Sequence, residues 1–214
     1  MFLLLGLSLT PISAAAQCPQ STLFCDLQPT YTSAPRYSVT CASGPSAGTG
    51  KASYDLPAGE FTGFGSATRR LLSGAGGIGC TDDFVVTGLP PGTPVTITAS
   101  LHVKVTFSKN FSTGTGDFDV SLGEDSGVTR LTGHAAVDTI VTYVLHHPAG
   151  EHFPFSIGVY VVGTEATMSL TSQLSVDDLP PGAVLSSCNG FLRQGQSPVP
   201  AVPLSWGRLK AVHR

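Results

Sequence analysis

The most constraining feature of the sequence is an unbroken alternation of apolar and polar residues over positions 93–107. The apolar positions are Val95, Ile97, Ala99, Leu101, Val103, Val105 and Phe107. Successive side chains of a β-strand point to opposite faces, so this segment predicts a strand with one face in a core and one in water. Because so long a strand is unusual, we expect a bend or bulge within it.

Shorter strand patterns occur along most of the chain. Alternation recurs over residues 117–122, 153–162 and 166–176, and residues 137–145, which are apolar on both faces, predict a central strand. Turns such as Leu89-Pro90-Pro91-Gly92 separate the strands, and the glycine-rich stretch 73–79 predicts a loop. The sequence therefore predicts an all-β, antiparallel β-sandwich of about 8 to 10 strands, either a jelly roll or an immunoglobulin/fibronectin III-like fold.

The two ends of the chain differ from its centre. The apolar run 2–9 followed by Ala14-Ala15-Ala16 predicts a signal peptide over residues 1–16, too short to span a bilayer. We expect an irregular N-terminal tail over 17–35, the sandwich over 36–192 and a Pro-rich linker over 193–204. A short basic amphipathic segment, helical or extended, follows over 205–214. These features predict a secreted protein, extracellular or periplasmic, without a membrane span.

The composition limits the classes of partner. Charged residues make up 12% of the chain and the net charge is −3, with no basic stripe along any segment. Nucleic-acid binding therefore lacks its electrostatic basis. We expect a cell-surface protein or a glycan as the partner, and no cofactor apart from a structural calcium ion considered below.

The cysteines predict disulfide bonds, because these are the usual state of cysteine in exported proteins. Their spacing is wide and includes no Cys-x-x-Cys motif; they are Cys18, Cys25, Cys41, Cys80 and Cys188. The odd number leaves one free thiol or one intermolecular bond. The sequence leaves the pairing open, and our working assignment joins Cys18 to Cys25 and Cys41 to Cys80.

Two segments carry a resemblance to known families. Residues 83–97, which contain Leu89-Pro90-Pro91-Gly92, resemble the late strands of a fibronectin type III module, although Val95 stands where that family has Tyr. Residues 50–190 resemble uncharacterised secreted bacterial β-sandwich proteins, including those with exosortase-type (PEP-CTERM) tails. The matching pieces are the strand after Phe153-Pro154-Phe155 and residues 176–184, but the sorting tail is absent. The resemblance implies a fold and export, and it implies no functional residue.

Acidic residues supply the main candidate for a metal site. Asp117 and Asp119 share one strand face opposite Phe118, so both carboxylates are expected at the surface together. Calcium prefers oxygen ligands of this kind. The same two carboxylates could serve as a glycosidase pair, which would require a cleft and a set separation. Ordinary solvated side chains are the simpler interpretation.

Three other motifs are considered and favoured less. His134, His146, His147 and His152 could contribute to a zinc or copper site, although His146 and His147 point to opposite faces of a strand. Residues 74–79 match a dinucleotide-binding fingerprint, and Gly44-Pro45-Ser46-Ala47-Gly48 matches a nucleophile elbow. Neither is followed by the helix that its chemistry requires.

Aromatic residues could form a platform for sugars. The candidates are Tyr54, Phe61, Phe64, Phe107 and Phe111, of which Phe111 is expected to be the most exposed. Taken together, the sequence favours a secreted non-enzymatic module with a structural, adhesive or binding role. The alternatives are a small carbohydrate-active or metal-dependent hydrolase on a jelly roll, and a lectin-like glycan-binding module.

Overall fold

The computed structural model describes residues 18–25, 28–42, 48–69 and 72–195. These residues form β-strands, and none of them forms a helix that is long and apolar enough to cross a membrane. The predicted signal peptide, Ser46 and the segment 205–214 lie outside the described residues. The strands are β1 Ser21–Cys25, β2 Gln28–Thr32, β3 Arg36–Ala42, β4 Thr49–Asp55, β5 Glu60–Ser66, β6 Ser73–Thr87, β7 Pro94–Lys109, β8 Thr115–Glu124, β9 Gly127–Gly133, β10 Val137–Pro148, β11 His152–Thr164, β12 Ala166–Asp177, β13 Val184–Ser187 and β14 Leu192–Gln194.

The strands form two antiparallel sheets packed face to face. Sheet A has the order β14-β13-β6-β11-β8-β9, with β1 also paired to β6 and β2 paired to β1. Sheet B has the order β10-β7-β12-β5-β4-β3. This architecture confirms the predicted all-β antiparallel sandwich, because each sheet buries one face against the other.

The core lies between the two sheets and follows the alternation of the sequence. On β7, the apolar positions from Val95 to Val105 are at most 4% exposed, whereas Lys104 and Thr106 face solvent. Phe84 is the centre of an aromatic cluster at one end of the core. Its ring centroid lies 5.7 to 6.1 Å from those of Phe153, Phe155 and Phe191.

The bulge expected in β7 and the central position expected for β10 are both wrong, whereas the register does not test the alternative of a bend in β7. The register of β7 runs without interruption against both β10 and β12, so the strand contains no bulge. Strand partners lie on both sides of β7 over residues 98–105, and on one side at each of its ends. The segment predicted as a central strand, β10, lies at the edge of sheet B, where Ile140 is 61% and Val144 is 48% exposed.

The glycine-rich stretch predicted as a loop is the first half of β6. Here the backbones of the two sheets come so close that side chains do not fit between them. A Cβ atom on Gly76 would lie 2.0 Å from the carbonyl oxygen of Lys51, and one on Gly65 would lie 2.2 Å from that of Gly74. The first two inward positions of β6, Gly74 and Gly76, must therefore be glycine, which removes the apolar alternation by which a strand is normally predicted.

The N-terminal segment predicted to be irregular also contains strands. Ser21, Leu23 and Cys25 of β1 are buried, while Thr22 and Phe24 face outward. β1 pairs with residues 76–79 of β6, and β2 pairs with β1 at the edge of sheet A. The reason is that Leu23 completes the core where β6 offers few side chains of its own.

Both disulfide bonds differ from the working assignment. Cys18 is bonded to Cys188, and Cys25 is bonded to Cys41. Cys80 is a buried free thiol that accepts a hydrogen bond from the Ser21 hydroxyl, 3.2 Å away. Burial raises the pKa of the Cys80 thiol to about 11.

A buried carboxylate joins β6 to the turn after β13. Asp82 is 1% exposed and accepts hydrogen bonds from the backbone N–H and side-chain amide of Asn189, at 3.3 and 3.1 Å. It also accepts one from the N–H of Asp83 at 2.9 Å. Burial raises the pKa of the Asp82 carboxyl, although hydrogen bonds from Ser187, Asp83 and Asn189 act in the opposite direction.

Candidate functional site

A shallow depression opens on the outer face of sheet A, across β1, β6, β11 and β8. Phe24 of β1 forms one wall and Tyr160 of β11 forms the other. Both residues stand opposite Gly77 of the intervening strand β6, so two strand spacings, about 10 Å, separate their backbones. The Tyr160 ring leans over Gly77, because a Cβ atom there would lie 2.5 Å from Cδ2 of Tyr160. The depression has a volume of about 490 Å³.

Glycine residues form the floor of this depression. Gly79 of β6 and Gly158 of β11 are direct cross-strand partners. A Cβ atom on Gly158 would lie 2.3 Å from the hydroxyl oxygen of Ser121, so this position is crowded. A Cβ atom on Gly79 would meet only a ring carbon of Phe24, at an ordinary 3.9 Å. The missing side chain of Gly79 therefore leaves open space between the two aromatic walls.

A carboxylate lines the same depression. Asp119 of β8 is the cross-strand partner of Tyr160 on one side and of Thr132 on the other. It is half-buried, and within the described residues it forms no hydrogen bond or ion pair. An ionised carboxylate is purely a hydrogen-bond acceptor. Asp119 is thus available to accept hydrogen bonds from the hydroxyl groups of a ligand.

Covalent bonds hold the Phe24 wall in place. Only residues 22–25 of β1 pair with β6, so the strand has few hydrogen bonds to the sheet. Leu23 is fully buried, and disulfide bonds hold the chain at Cys18 and at Cys25, on both sides of Phe24. The position of this aromatic ring therefore depends on both disulfide bonds.

The predicted calcium ligands lie on one face of β8 but have different surroundings. Asp117 is exposed and pairs with the His134 imidazole, whereas Asp119 is in the depression described above. Asp117 and His134 line a separate depression of about 350 Å³. No group of three or more His, Cys, Asp or Glu side chains comes together to hold a metal ion in the described part of the chain.

The histidines of the proposed zinc or copper site are distributed among different partners. His147 pairs with Glu124, His152 with Asp83 at 2.7 Å, and His146 with the Thr96 hydroxyl at 3.0 Å. These contacts lie on different strands and on both sheets. The histidines are therefore close along the chain, but the fold does not bring their side chains together at one site.

The hydrolase alternative requires Asp117, Asp119 and a loop histidine to meet in one cleft. The structure places Asp117 and His134 in one depression and Asp119 in the other. Retaining and inverting glycosidases both need two carboxyl groups on opposite sides of the scissile bond. Each depression is lined by a single carboxylate from the described residues, so neither supplies such a pair.

Of the five aromatic residues considered for a sugar platform, none is fully exposed, and Phe64 and Phe107 are half-buried. Tyr54 and Phe61 are buried in the core, and Phe111 is half-buried. The exposed rings on sheet A are instead Phe24 and Tyr31, 38% and 65% exposed, with half-buried Tyr160 beyond them. One signal was available, because Tyr160 is an aromatic residue at an outward position of the alternating segment 153–162.

A second depression, on the outer face of sheet B, has a different character. Its volume is about 330 Å³, and no Phe, Tyr or Trp of the described residues lines it. The lining side chains include Glu60, Lys104 and Gln173, next to the ion pair between His102 and Asp138 at 2.6 Å. Charges of both signs lie side by side here, which favours an ordinary solvated surface.

Comparisons with known proteins do not assign this chain to a family. No family model matches the chain, and no curated protein matches it. Two solved structures that do match are carbohydrate-binding modules. TmCBM61 in complex with β-1,4-galactotriose is 10% identical, with 74% of this chain and 88% of that chain covered and a TM-score of 0.33. A family 16 carbohydrate-binding module is 16% identical, with 64% and 89% covered and a TM-score of 0.21. At these TM-scores the similarity says nothing about a ligand.

Proposed function

We propose that this protein is a secreted, non-catalytic module that binds a glycan on the outer face of sheet A. The observation that carries the proposal is the depression between Phe24 and Tyr160, which has a glycine floor and, at its side, the Asp119 carboxylate, which no described residue pairs. A sugar ring offers C–H groups on its faces and hydroxyl groups around its rim. Aromatic side chains can pack against the C–H faces, and a carboxylate can accept hydrogen bonds from the hydroxyl groups.

The shape of the site favours a sugar over an extended peptide. Peptides that bind sheets usually add a strand to an exposed edge, where backbone N–H and C=O groups are unpaired. This depression instead lies across β6 and β11, which are both paired on either side at this level. A ligand in this depression must therefore contact the side chains of the protein, with the faces of its own rings, rather than unpaired backbone groups.

Binding without catalysis is favoured by the single carboxylate. Asp119 has no second carboxyl group facing it across the depression among the described residues. The two disulfide bonds fit export to an oxidising environment. Binding to a glycan of a cell surface would give the protein an adhesive role, so this proposal includes that role.

Affinity electrophoresis of the full chain in gels that contain soluble polysaccharides tests the proposal. We expect retardation by at least one polysaccharide, and a loss of affinity of about tenfold or more in Phe24→Ala, because stacking on this ring is removed. Ile140→Ala is the matched control, since Ile140 is an exposed apolar residue on the outer face of sheet B. Equal affinities of the wild type and Phe24→Ala, or no retardation by any polysaccharide, would refute the proposal.

A further inference from the structure

The lining of the sheet A depression carries one charge at neutral pH. Its residues are Phe24, Ile78, Gly79, Asp119, Gly158, Val159 and Tyr160. No lysine, arginine or histidine is among them. A ligand that enters the depression therefore meets the Asp119 carboxylate at close range and no cationic side chain from the described part of the chain.

The Asp119 charge is not neutralised by its neighbours. Its partner on β9 is Thr132, which is uncharged. The nearest cation by register is Arg130, which stands opposite Ser121 one pleat further along β9. Arg130 forms no ion pair with Asp119 within the described residues. By contrast, Asp117 on the same strand face is paired with His134.

We infer that the site selects uncharged glycans and rejects those that carry uronate or sulfate groups; this inference rests on the proposed glycan-binding function. Hydroxyl groups of a neutral sugar donate hydrogen bonds to Asp119, which accepts none from the described residues. A carboxylate or sulfate on the sugar offers no donor and brings a second negative charge near the first. Repulsion at this range is only partly screened, because the carboxylate is half-buried.

The test compares two forms of one polysaccharide that differ only in charge. A panel of neutral galactan, mannan, xylan and mixed-linkage glucan first identifies the tightest ligand of the full chain. Selective oxidation of its primary hydroxyl groups, or for xylan the addition of sulfate groups, then gives an anionic form with the same backbone. We expect the affinity of the wild type to be at least tenfold lower for the anionic form, and the difference to shrink as salt is added.

Two variants assign the effect to Asp119. Asp119→Asn removes the charge and keeps the shape, so it should bind both forms within about threefold of each other, with weaker binding of the neutral form than the wild type. Asp117→Asn is the matched control on the same strand face and should keep the wild-type discrimination. Discrimination that persists in Asp119→Asn would overturn the assignment.

The outcomes separate this inference from the proposed function. If the wild type binds polygalacturonate, alginate or dextran sulfate as tightly as any neutral chain, and Phe24→Ala abolishes that binding, the inference is overturned and glycan binding stands. If no polysaccharide of either charge binds, the proposed function fails and the inference fails with it.

Discussion

The substitution Gly79→Val should raise stability while it removes ligand binding. Gly79 lies at the centre of the depression floor, and a Cβ atom there meets only the edge of the Phe24 ring at 3.9 Å. The valine side chain therefore enters open space between the aromatic walls. The space that it fills is the space in which we place the sugar.

The expected stability change follows from the strand environment. Glycine in a strand interior costs about 0.5–1 kcal/mol relative to alanine, and β-branched residues are favoured further. Because the added Cβ atom meets no close contact, Gly79→Val should gain about 0.5–1 kcal/mol, or about 1–4 °C in melting temperature for a chain of this size. Affinity for the glycan should fall at least tenfold, about 1.4 kcal/mol.

Gly76→Val on the same strand is the contrasting control. A Cβ atom at Gly76 would lie 2.0 Å from the backbone oxygen of Lys51, so the two sheets must separate and we expect a loss of about 1–3 kcal/mol or more. Urea unfolding gives the stability of each variant, and affinity electrophoresis gives its binding. A Gly79→Val protein that is destabilised, or that binds as the wild type does, would show that the depression is not the site described here.

Two further predictions concern buried groups on β6. Cys80, whose pKa is raised to about 11 by burial, should not react with a thiol reagent at about pH 8 in the native protein and should react as one thiol in denaturant; rapid labelling of the native protein would contradict its burial. Burial also raises the pKa of the Asp82 carboxyl in the folded protein above its value of about 3.9 in the unfolded chain. The protonated carboxyl therefore stabilises the fold below about pH 3.9, and this contribution is lost as the pH rises through the pKa of the folded state. Asp82→Asn, which cannot ionise, should therefore gain stability relative to the wild type in urea titrations from about pH 3 to about pH 7, and a constant difference would argue against the raised pKa.

The strands could be predicted where apolar and polar residues alternate with the two-residue period of a β-strand. The segments that became β7, β8, β11 and β12 all show apolar alternation, and the burial of their residues follows it. Prediction failed where the structure removes that signal. The inward positions Gly74 and Gly76 of β6 have no side chain, because the sheets touch there, and a strand without side chains has the composition of a loop.

The candidate site was predictable only in part. Asp119 was identified because it shares a strand face with Asp117, and the structure confirms that shared face. Its aromatic partners come from β1 and β11, which are distant in sequence and meet only through β6. The disulfide pairing was also beyond the sequence, since it depends on β1 joining sheet A while β3 joins sheet B.

The disulfide bonds on both sides of β1 impose an order on the maturation of the protein. Cys18 is bonded to Cys188, 170 residues later in the chain. A chain is synthesised from its N-terminus, so β1 has no covalent anchor at Cys18 until the region around β13 has been made and oxidised. The disulfide anchor that precedes Phe24 therefore forms only after residue 188 has been synthesised, although Phe24 itself lies near the N-terminus.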